Sequence, residues 1–466
     1  MARQELQTPN IQCVMVPQST SDFIDQGSKE YAIYTAQNRA IPSTCDGLKD
    51  GQRKALWLMR NRTEKLKTIS LAGAMIAENI FHHGDTSAAE TISRLAAPYL
   101  NNVPLLEGIG AFGTRVGPDS WGAPRYTYVK RHAVAQALLY PDLDLVPQKP
   151  NYDGSVLEPV NFLPLIPLVL LNGVSGIAVG WSTDILPHSL ESLIDTVVAA
   201  IDQKPLPGLV PNYDYLQVNV RDLGGNSYEF KGQVEIVSAT LLKVTELPPD
   251  LSLEKFRARL NQMEDDDLIH SYVDRSTKTI NIEIRMKRGS MEAWTQEHAV
   301  NFLKLRSKST QRLVVLDFNN TSIRQFANAG ELVQAFVEWR LTWYTKRYQK
   351  LIEQTQRELT WYQALKLCYD QKLPAFLSQA ANKQAIVERV QKITSKLPIE
   401  LDQIDRITQL ASYRWAQDQY QDTLDKIAEQ EKLLAQYQAQ LASPAALRKQ
   451  YRQEVTALKK LKLTHK

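Results

Sequence analysis

The sequence predicts an α+β chain of several domains that closes with a long antiparallel helical hairpin of coiled-coil type. Three observations carry that expectation. The chain has 466 residues, too many for one compact core, and about three domains is the ordinary division at this length. Strand-like runs with β-branched alternation at 233–244 and 279–286 (TINIEIRM) flank a helical stretch at 252–263. Glycine disappears after Gly330, and Gln, Leu, Lys, Glu and Tyr take over with apolar residues at helical spacing.

Taken in order, residues 1–25 are polar and irregular and read as an arm. From Tyr31 to about 160, short helical patterns (51–60, 70–80, 88–99, 128–140) alternate with glycine-rich turns, which suits a compact helical module over 26–160. Residues 161–330 form the α+β part, with a Pro- and Gly-rich loop at 204–214. The most apolar stretch, 162–181, has the length of a membrane span. It is interrupted by Pro164, Pro167, Asn172, Gly173 and Gly176, which lipid-facing helices tolerate poorly, so buried strand and turn are expected. In 331–466, Phe336, Trp339, Trp343, Tyr348, Ile352, Leu359 and Tyr362 mark one helical stripe. Tyr413, Tyr420, Leu424, Ile427, Leu434 and Leu441 mark a second. A helical insert lies between them. The stripes are narrow, so a helix partner is expected; a self-contained bundle is the alternative.

Composition excludes a disordered chain: charged residues are 23% and hydrophobic residues 43%. Net charge is only +4, so a surface for nucleic acid must come from clustering. Residues 39–67 hold eight basic side chains (Arg39, Lys49, Arg53, Lys54, Arg60, Arg62, Lys65, Lys67) against three acidic ones (Asp46, Asp50, Glu64). A solvated helical face would show the same excess. Cys13, Cys45 and Cys368 match no zinc or disulfide spacing, which suits a reducing compartment. No basic segment leading into an apolar run opens the chain, so an intracellular protein with no membrane partner is expected. Glu264-Asp265-Asp266-Asp267 could be taken for a magnesium site; a solvated acidic loop is the simpler reading.

Four segments carry the chemistry: NRAIPSTCDGLKDGQRK at 38–54, FHHGDTSAAETI at 81–92, LLEGIGAFGTRVGPDSWGAPRYTYVK at 105–130, and LPLIPLVLLNGVSGIAVGWSTDILPH at 163–188. In this order and spacing they resemble the breakage-reunion subunit of type IIA topoisomerases, the family of gyrase A and topoisomerase IV. The doubled histidine, short N-terminus and total length are most similar to the medium subunit of T-even-like bacteriophage enzymes. The match is dense over 30–190 and architectural beyond.

Each candidate residue has its own chemistry. Tyr126 follows Arg125 in a Gly/Pro-rich loop. A tyrosine hydroxyl, with an ordinary pKa of about 10, is a poor nucleophile near neutral pH, so attack on a phosphodiester needs an adjacent cation and usually a metal. Arg125 can fork onto phosphate oxygens. The resemblance makes Tyr126 the nucleophile that becomes joined to a 5′ phosphate. It also places His83 by the scissile phosphate, with His82 as a second contact where gyrase-type members carry another pattern. A metal-ligating histidine pair is the rival reading, but no third ligand has suitable spacing. Arg39, Lys49, Arg53 and Lys54 look like the family's contacts to the DNA backbone, with Arg39 near the active site; Lys54 stands where gyrase-type members have arginine. Such contacts position DNA without reading sequence and make binding salt-dependent; structural ion pairing is the alternative. Ile177 resembles the apolar wedge that enters between base pairs and bends the duplex. Thr86 and Glu90 match the positions at which quinolone-type drugs are bridged.

No Gly-rich ATP-binding motif is present in the sequence, and neither is the strand-embedded Glu followed by Asp-x-Asp of the family's metal module. The resemblance therefore implies that catalytic Mg²⁺ is held by a Toprim domain and ATP by an ATPase domain, both on one or more partner subunits, with no metal bound by this chain. It implies a homodimer on double-stranded DNA, built as a winged-helix-type catalytic domain (26–160), an α+β tower (161–330) and a coiled-coil C-gate for dimerisation (331–466). The chain stops after the helical region, so relaxation and decatenation are expected rather than negative supercoiling. Cytoplasmic residence at the nucleoid follows, in a host cell if phage-encoded. Two other function classes fit parts of the pattern: a non-catalytic DNA-bending architectural dimer, and a helical scaffold.

Overall fold

The computed structural model describes residues 19–461. The expected arm lies outside these residues up to residue 18. From Thr20 it is helical, in a helix spanning Thr20–Thr35 whose N-cap Ser19 accepts the amide of Asp22. The boundary expected at 25/26 thus falls inside a helix. None of this helix's residues is buried.

Behind it, helices Asp50–Met59, Thr68–Ala77 and Asp85–Ala96 pack against a small antiparallel sheet in which Tyr128–Arg131 lies between Leu66–Lys67 and Leu106–Ile109. The segment expected as one helix over 128–140 is divided: a strand to Arg131, then a helix over Ala133–Leu139 capped at His132. Tyr128 and Val129 are drawn into the sheet by pairing on both sides, with Ile109 and Gly108 on one flank and Lys67 and Leu66 on the other. Tertiary hydrogen bonding overrides the local helical pattern here.

The stretch 162–181 changes character midway. Residues 162–171 are buried, partly in the short helix Leu168–Asn172. Val174–Ala178 and Trp181–Ile185 then form a β-hairpin that reaches into solvent. One hydrophobic core runs from Leu48 through Phe162 and Ile201 to Leu313, Leu332, Tyr344 and Tyr451. The expected domain boundaries at 160/161 and 330/331 therefore lie within a single packed core.

A second core belongs to a four-stranded antiparallel sheet, in the order Gln233–Ser238, Leu241–Glu246, Ile282–Arg285, Ser271–Asp274. Helices Leu253–Asp265 and Gln296–Phe302 cover it, with Phe256, Leu260 and Ile284 at its centre. The run 233–244 read as one strand is a hairpin, turned at Ala239 and Thr240. At the end of the first of these helices, Asp267 pairs with Lys287 and Asp266 accepts from Gln262. Among the described residues no group of three or more His, Cys, Asp or Glu is arranged to hold a metal ion.

The C-terminal part is the helix Ala329–Asp370, three short helices (Leu373–Leu377, Lys383–Thr394, Leu401–Thr408), and a return helix Gln417–Ala442. Tyr348 meets Tyr437 at 6.0 Å between ring centroids, and Tyr420 donates to Asp370 at 2.9 Å, so the two long helices run antiparallel. The chain then turns at Ser443, and Pro444–Ala457 packs back onto the first core through Tyr451 and Val455. No helix among the described residues is long and apolar enough to cross a membrane.

Candidate active site

The loop joining strands Leu106–Ile109 and Tyr128–Arg131 presents Tyr126. Its end is fixed to the start of the Thr68–Ala77 helix: Ile69 donates to the carbonyl of Pro124 at 3.1 Å and Thr68 to that of Thr127 at 3.0 Å. The Thr68 and Thr127 hydroxyls meet at 2.8 Å. A helix N-terminus has amides to spare, and here they hold a turn rather than a ligand. The turn closes with the Tyr126 amide on Ala123, and the Tyr126 side chain is 71% exposed. The Arg125 guanidinium lies 4.8 Å from its ring centroid, so a cation stands beside the phenol. Packing does not account for its position.

A cleft of about 760 Å³, whose lining does not include Tyr126, is formed among others by Arg39, Lys49, His83, Glu90, Arg94 and Ser175. Arg39 sits on the Ala36–Ala40 π-turn. His83 has its pKa lowered by partial burial and by the neighbouring His82, Arg39 and Lys54, so its ring is held neutral and can donate from one nitrogen and accept at the other. Lys49 is likewise pushed down by burial and by Arg94. Positive groups close enough to work against a charge on His83 and Lys49 mark a place where an anion is favoured. A second cleft, of about 610 Å³, is lined by Asp85, Thr86, Glu90, Trp121 and Arg125, among others. Glu90 is common to both walls.

His82 lies against His83, with 4.4 Å between ring centroids. Its Nε2 is 3.0 Å from the Tyr34 hydroxyl, and its ring lies 4.9 Å from that of Tyr152.

Arg53 and Lys54, read in the sequence as DNA contacts, are committed to carboxylates instead. Arg53 is 7% exposed and forks onto Asp46, with Nε–Oδ2 at 2.7 Å and Nη2–Oδ1 at 2.9 Å. Lys54 is 4% exposed and lies 2.9 Å from both Asp50 and Glu158. Burial works against each charge and the acidic partners outweigh it. A buried, paired cation has little left for a phosphate.

Ile177 is 87% exposed near the tip of the β-hairpin, opposite Ser182. The hairpin is seated by Lys49, whose ammonium donates to the carbonyl of Ser175 at 2.9 Å, and by Gly176. A Cβ on Gly176 would fall 2.1 Å from the carbonyl oxygen of Ala40. We expect Gly176→Ala to lift the hairpin and cost about 1–3 kcal/mol, the usual penalty of overpacking. Urea unfolding checks this, and an unchanged midpoint contradicts the close seating.

Sequence reasoning missed three participants. Arg94 stands four residues after Glu90 on the same helix face, pairs with it at 3.2 Å, and reaches over the Trp121 ring at 5.5 Å; the i, i+4 spacing is the signal that could have found it. Tyr34 and Tyr152 hold His82 from distant parts of the chain, and no local pattern announces them.

The chain has relatives. A family model described as the A subunit of DNA gyrase/topoisomerase IV matches residues 39–456. DNA topoisomerase 2-alpha of Gallus gallus is 32% identical over 351 residues, which are 71% of this chain and 22% of that protein. A putative mitochondrial DNA topoisomerase 2 of Caenorhabditis elegans is 29% identical over 73% of this chain and 30% of its own length. The chain thus spans less than a third of these curated relatives. The structure of the Plasmodium falciparum topoisomerase II DNA-binding, cleavage and re-ligation domain superposes with a TM-score of 0.78 over 95% of this chain and 66% of that one, at 23% identity. The family match covers most of the sequence, including every candidate residue in the two clefts, and on it the chain belongs to the family of DNA gyrase/topoisomerase IV A subunits.

Proposed function

We propose that this chain cuts and reseals DNA within a type II topoisomerase, with Tyr126 as the nucleophile. The observation that carries the reading is an exposed tyrosine beside an arginine, on a turn pinned to a helix start, within the matched family region. The Tyr126 oxygen forms a bond to phosphorus as the bond to the 3′ oxygen breaks. The phenolic proton is given up and the leaving oxygen gains one. The product is again a phosphodiester, so the reverse attack by the 3′ hydroxyl reseals the strand without an external energy source. Arg125, Arg39 and Lys49 lie against the phosphate chain and His83 donates to a non-bridging oxygen, while Thr86 and Glu90 line the cleft next to Arg125, where a drug would lodge.

In this proposal the chain acts as a homodimer on double-stranded DNA, one strand cut per copy, with a second duplex passing through. In the same reading the Mg²⁺ ion and ATP are held by a separate Toprim and ATPase partner. The winged-helix, tower and C-gate roles and a cytoplasmic site of action go with this reading. The doubled His82-His83 supports placement with the phage-type medium subunits. Denaturing the assembled complex on supercoiled plasmid with Mg²⁺ should leave protein on 5′ DNA ends. Bent but uncut DNA would instead favour an architectural dimer, which the exposed Ile177 alone would equally suit.

Ile177 is the proposed wedge. Opening a base step costs a few kcal/mol, so Ile177→Ala should bend a duplex less in end-to-end fluorescence transfer and cut it roughly tenfold or more slowly. An unaltered bend would remove Ile177 from the site.

A further inference from the structure

The loop that ends at Tyr126 has a second anchorage, far from the helix that pins its turn. Its limbs are stapled by the amide of Gly122 on the carbonyl of Ala111 at 2.9 Å and by pairing of Phe112 with Trp121. Beyond the staple, its tip carries Arg115, which enters the four-stranded domain. There Nε donates to Glu246 Oε1 at 2.7 Å and Nη2 to the carbonyl of Leu247 at 3.0 Å, while the Arg115 amide donates to the carbonyl of Lys278 at 3.1 Å. Arg115 is 8% exposed and Glu246 5%. Glu246 ends the strand Leu241–Glu246, and its carboxylate also accepts from the amides of Leu247 at 2.9 Å and Gln217 at 3.2 Å. Next to Arg115, Val116 packs against that domain's hydrophobic core.

An apolar tip would hold the loop more cheaply than a buried ion pair, whose desolvation offsets much of its attraction. What the pair adds is direction. A planar guanidinium held by a carboxylate and a carbonyl has one orientation, and the stapled loop carries that orientation toward residues 122–126.

We propose that Arg115 is a positioning residue: through Glu246 it ties the Tyr126 loop to the four-stranded domain, so that the seating of that domain sets how the Tyr126 hydroxyl is presented for attack. This rests on the reading of Tyr126 as nucleophile. The test is single-turnover cleavage by the assembled complex on a short duplex, with DNA affinity and bend angle measured alongside. The double variant Arg115→Met/Glu246→Gln removes both charges, so neither is left buried and unpaired. It should bind and bend DNA as the wild type does, yet cut roughly 10- to 100-fold more slowly, the penalty of an ångström-scale misplacement. Arg115→Lys, which keeps the charge but not the fork, should fall between. If the double variant does not fold, Arg115→Lys decides the matter: slower cutting at unchanged affinity supports the clasp. Wild-type cleavage rates in either folded variant overturn it. A wild-type adduct on a residue other than Tyr126 marks failure of the nucleophile assignment itself, which the cleavage rates of the variants do not touch.

Discussion

Tyr126→Phe protein, assembled with its partner and Mg²⁺, should bind duplex DNA as tightly as the wild type and leave plasmid topology unchanged. The substitution removes one oxygen from a ring that is already 71% exposed, so folding has little to lose. The turn beneath it is held by backbone bonds from Thr68 and Ile69, which do not involve the ring. Arg125 keeps its place over the aromatic face. The binding proposed for Arg39 and Lys49 does not involve the Tyr126 hydroxyl, and phosphate contacts supply most of the affinity. Only the atom proposed to form the bond is gone, and loss of a covalent nucleophile lowers turnover by roughly 10⁴-fold or more. Relaxation followed on agarose and DNA affinity measured at the same salt give the two readings. Relaxation at the normal rate by the variant would move the chemistry to another residue.

The second large effect concerns folding. Asp142 lies between two arginines of the helix Ala329–Asp370: the fully buried Arg340, which also donates to the carbonyl of Pro164 at 3.1 Å, and Arg347, with both of its bonds to Asp142 at 2.7 Å. Arg347 reaches on to Glu454 at 2.7 Å, and Tyr344 donates to the same carboxylate. One network thus joins the first core, the foot of the long helix and the terminal helix Pro444–Ala457. Removing Asp142 leaves a buried arginine unpaired, so Asp142→Ala should cost about 3–5 kcal/mol, a large share of the roughly 5–15 kcal/mol typical of a domain.

The pH dependence follows from the same contacts. Burial pushes the Asp142 and Glu454 carboxyls up, but Arg340 and Arg347 outweigh it for Asp142 and Arg347 does so for Glu454, holding both below the usual carboxylate range. Groups with depressed folded-state values contribute stability that is complete above their unfolded values of about 4 and is lost as pH falls below them. Urea midpoints should therefore drop in the wild type from about pH 5 downward, and drop less steeply in Asp142→Ala. Parallel curves for the two proteins would show that the network is not the source.

How far these features are legible in the sequence depends on the range of the forces behind them. The antiparallel helices were visible because their apolar residues recur at fixed local spacing, and the Tyr126 turn because Gly122, Pro124 and the neighbouring Arg125 are contiguous. Of Arg53 and Lys54 the sequence shows only the charge. Their charge is local, but Glu158, which helps to bury Lys54, is distant in sequence, and no periodicity points to it. The same holds for Asp142, which meets Arg340 and Arg347 only after the chain has folded back. Arg115 lies within one of the four motifs and shows no role there, because an arginine in a glycine-rich loop looks solvated until the strand ending at Glu246 is placed against it. Continuity of the core across the boundary expected at 160 was hidden for a related reason: a change of local pattern from helix to strand is not a break in packing, and Phe162 to Leu171 complete the core begun at Leu48.

The most direct measurement is to identify the protein atom joined to DNA. The assembled complex is denatured during turnover on radiolabelled duplex, digested with nuclease and protease, and the nucleotide-bearing peptide is sequenced by mass spectrometry. The expected result is a 5′-phosphate-linked nucleotide on Tyr126 and on no other residue. A remnant on any other side chain, a 3′-phosphate linkage, or full strand breakage with no covalent remnant would contradict it.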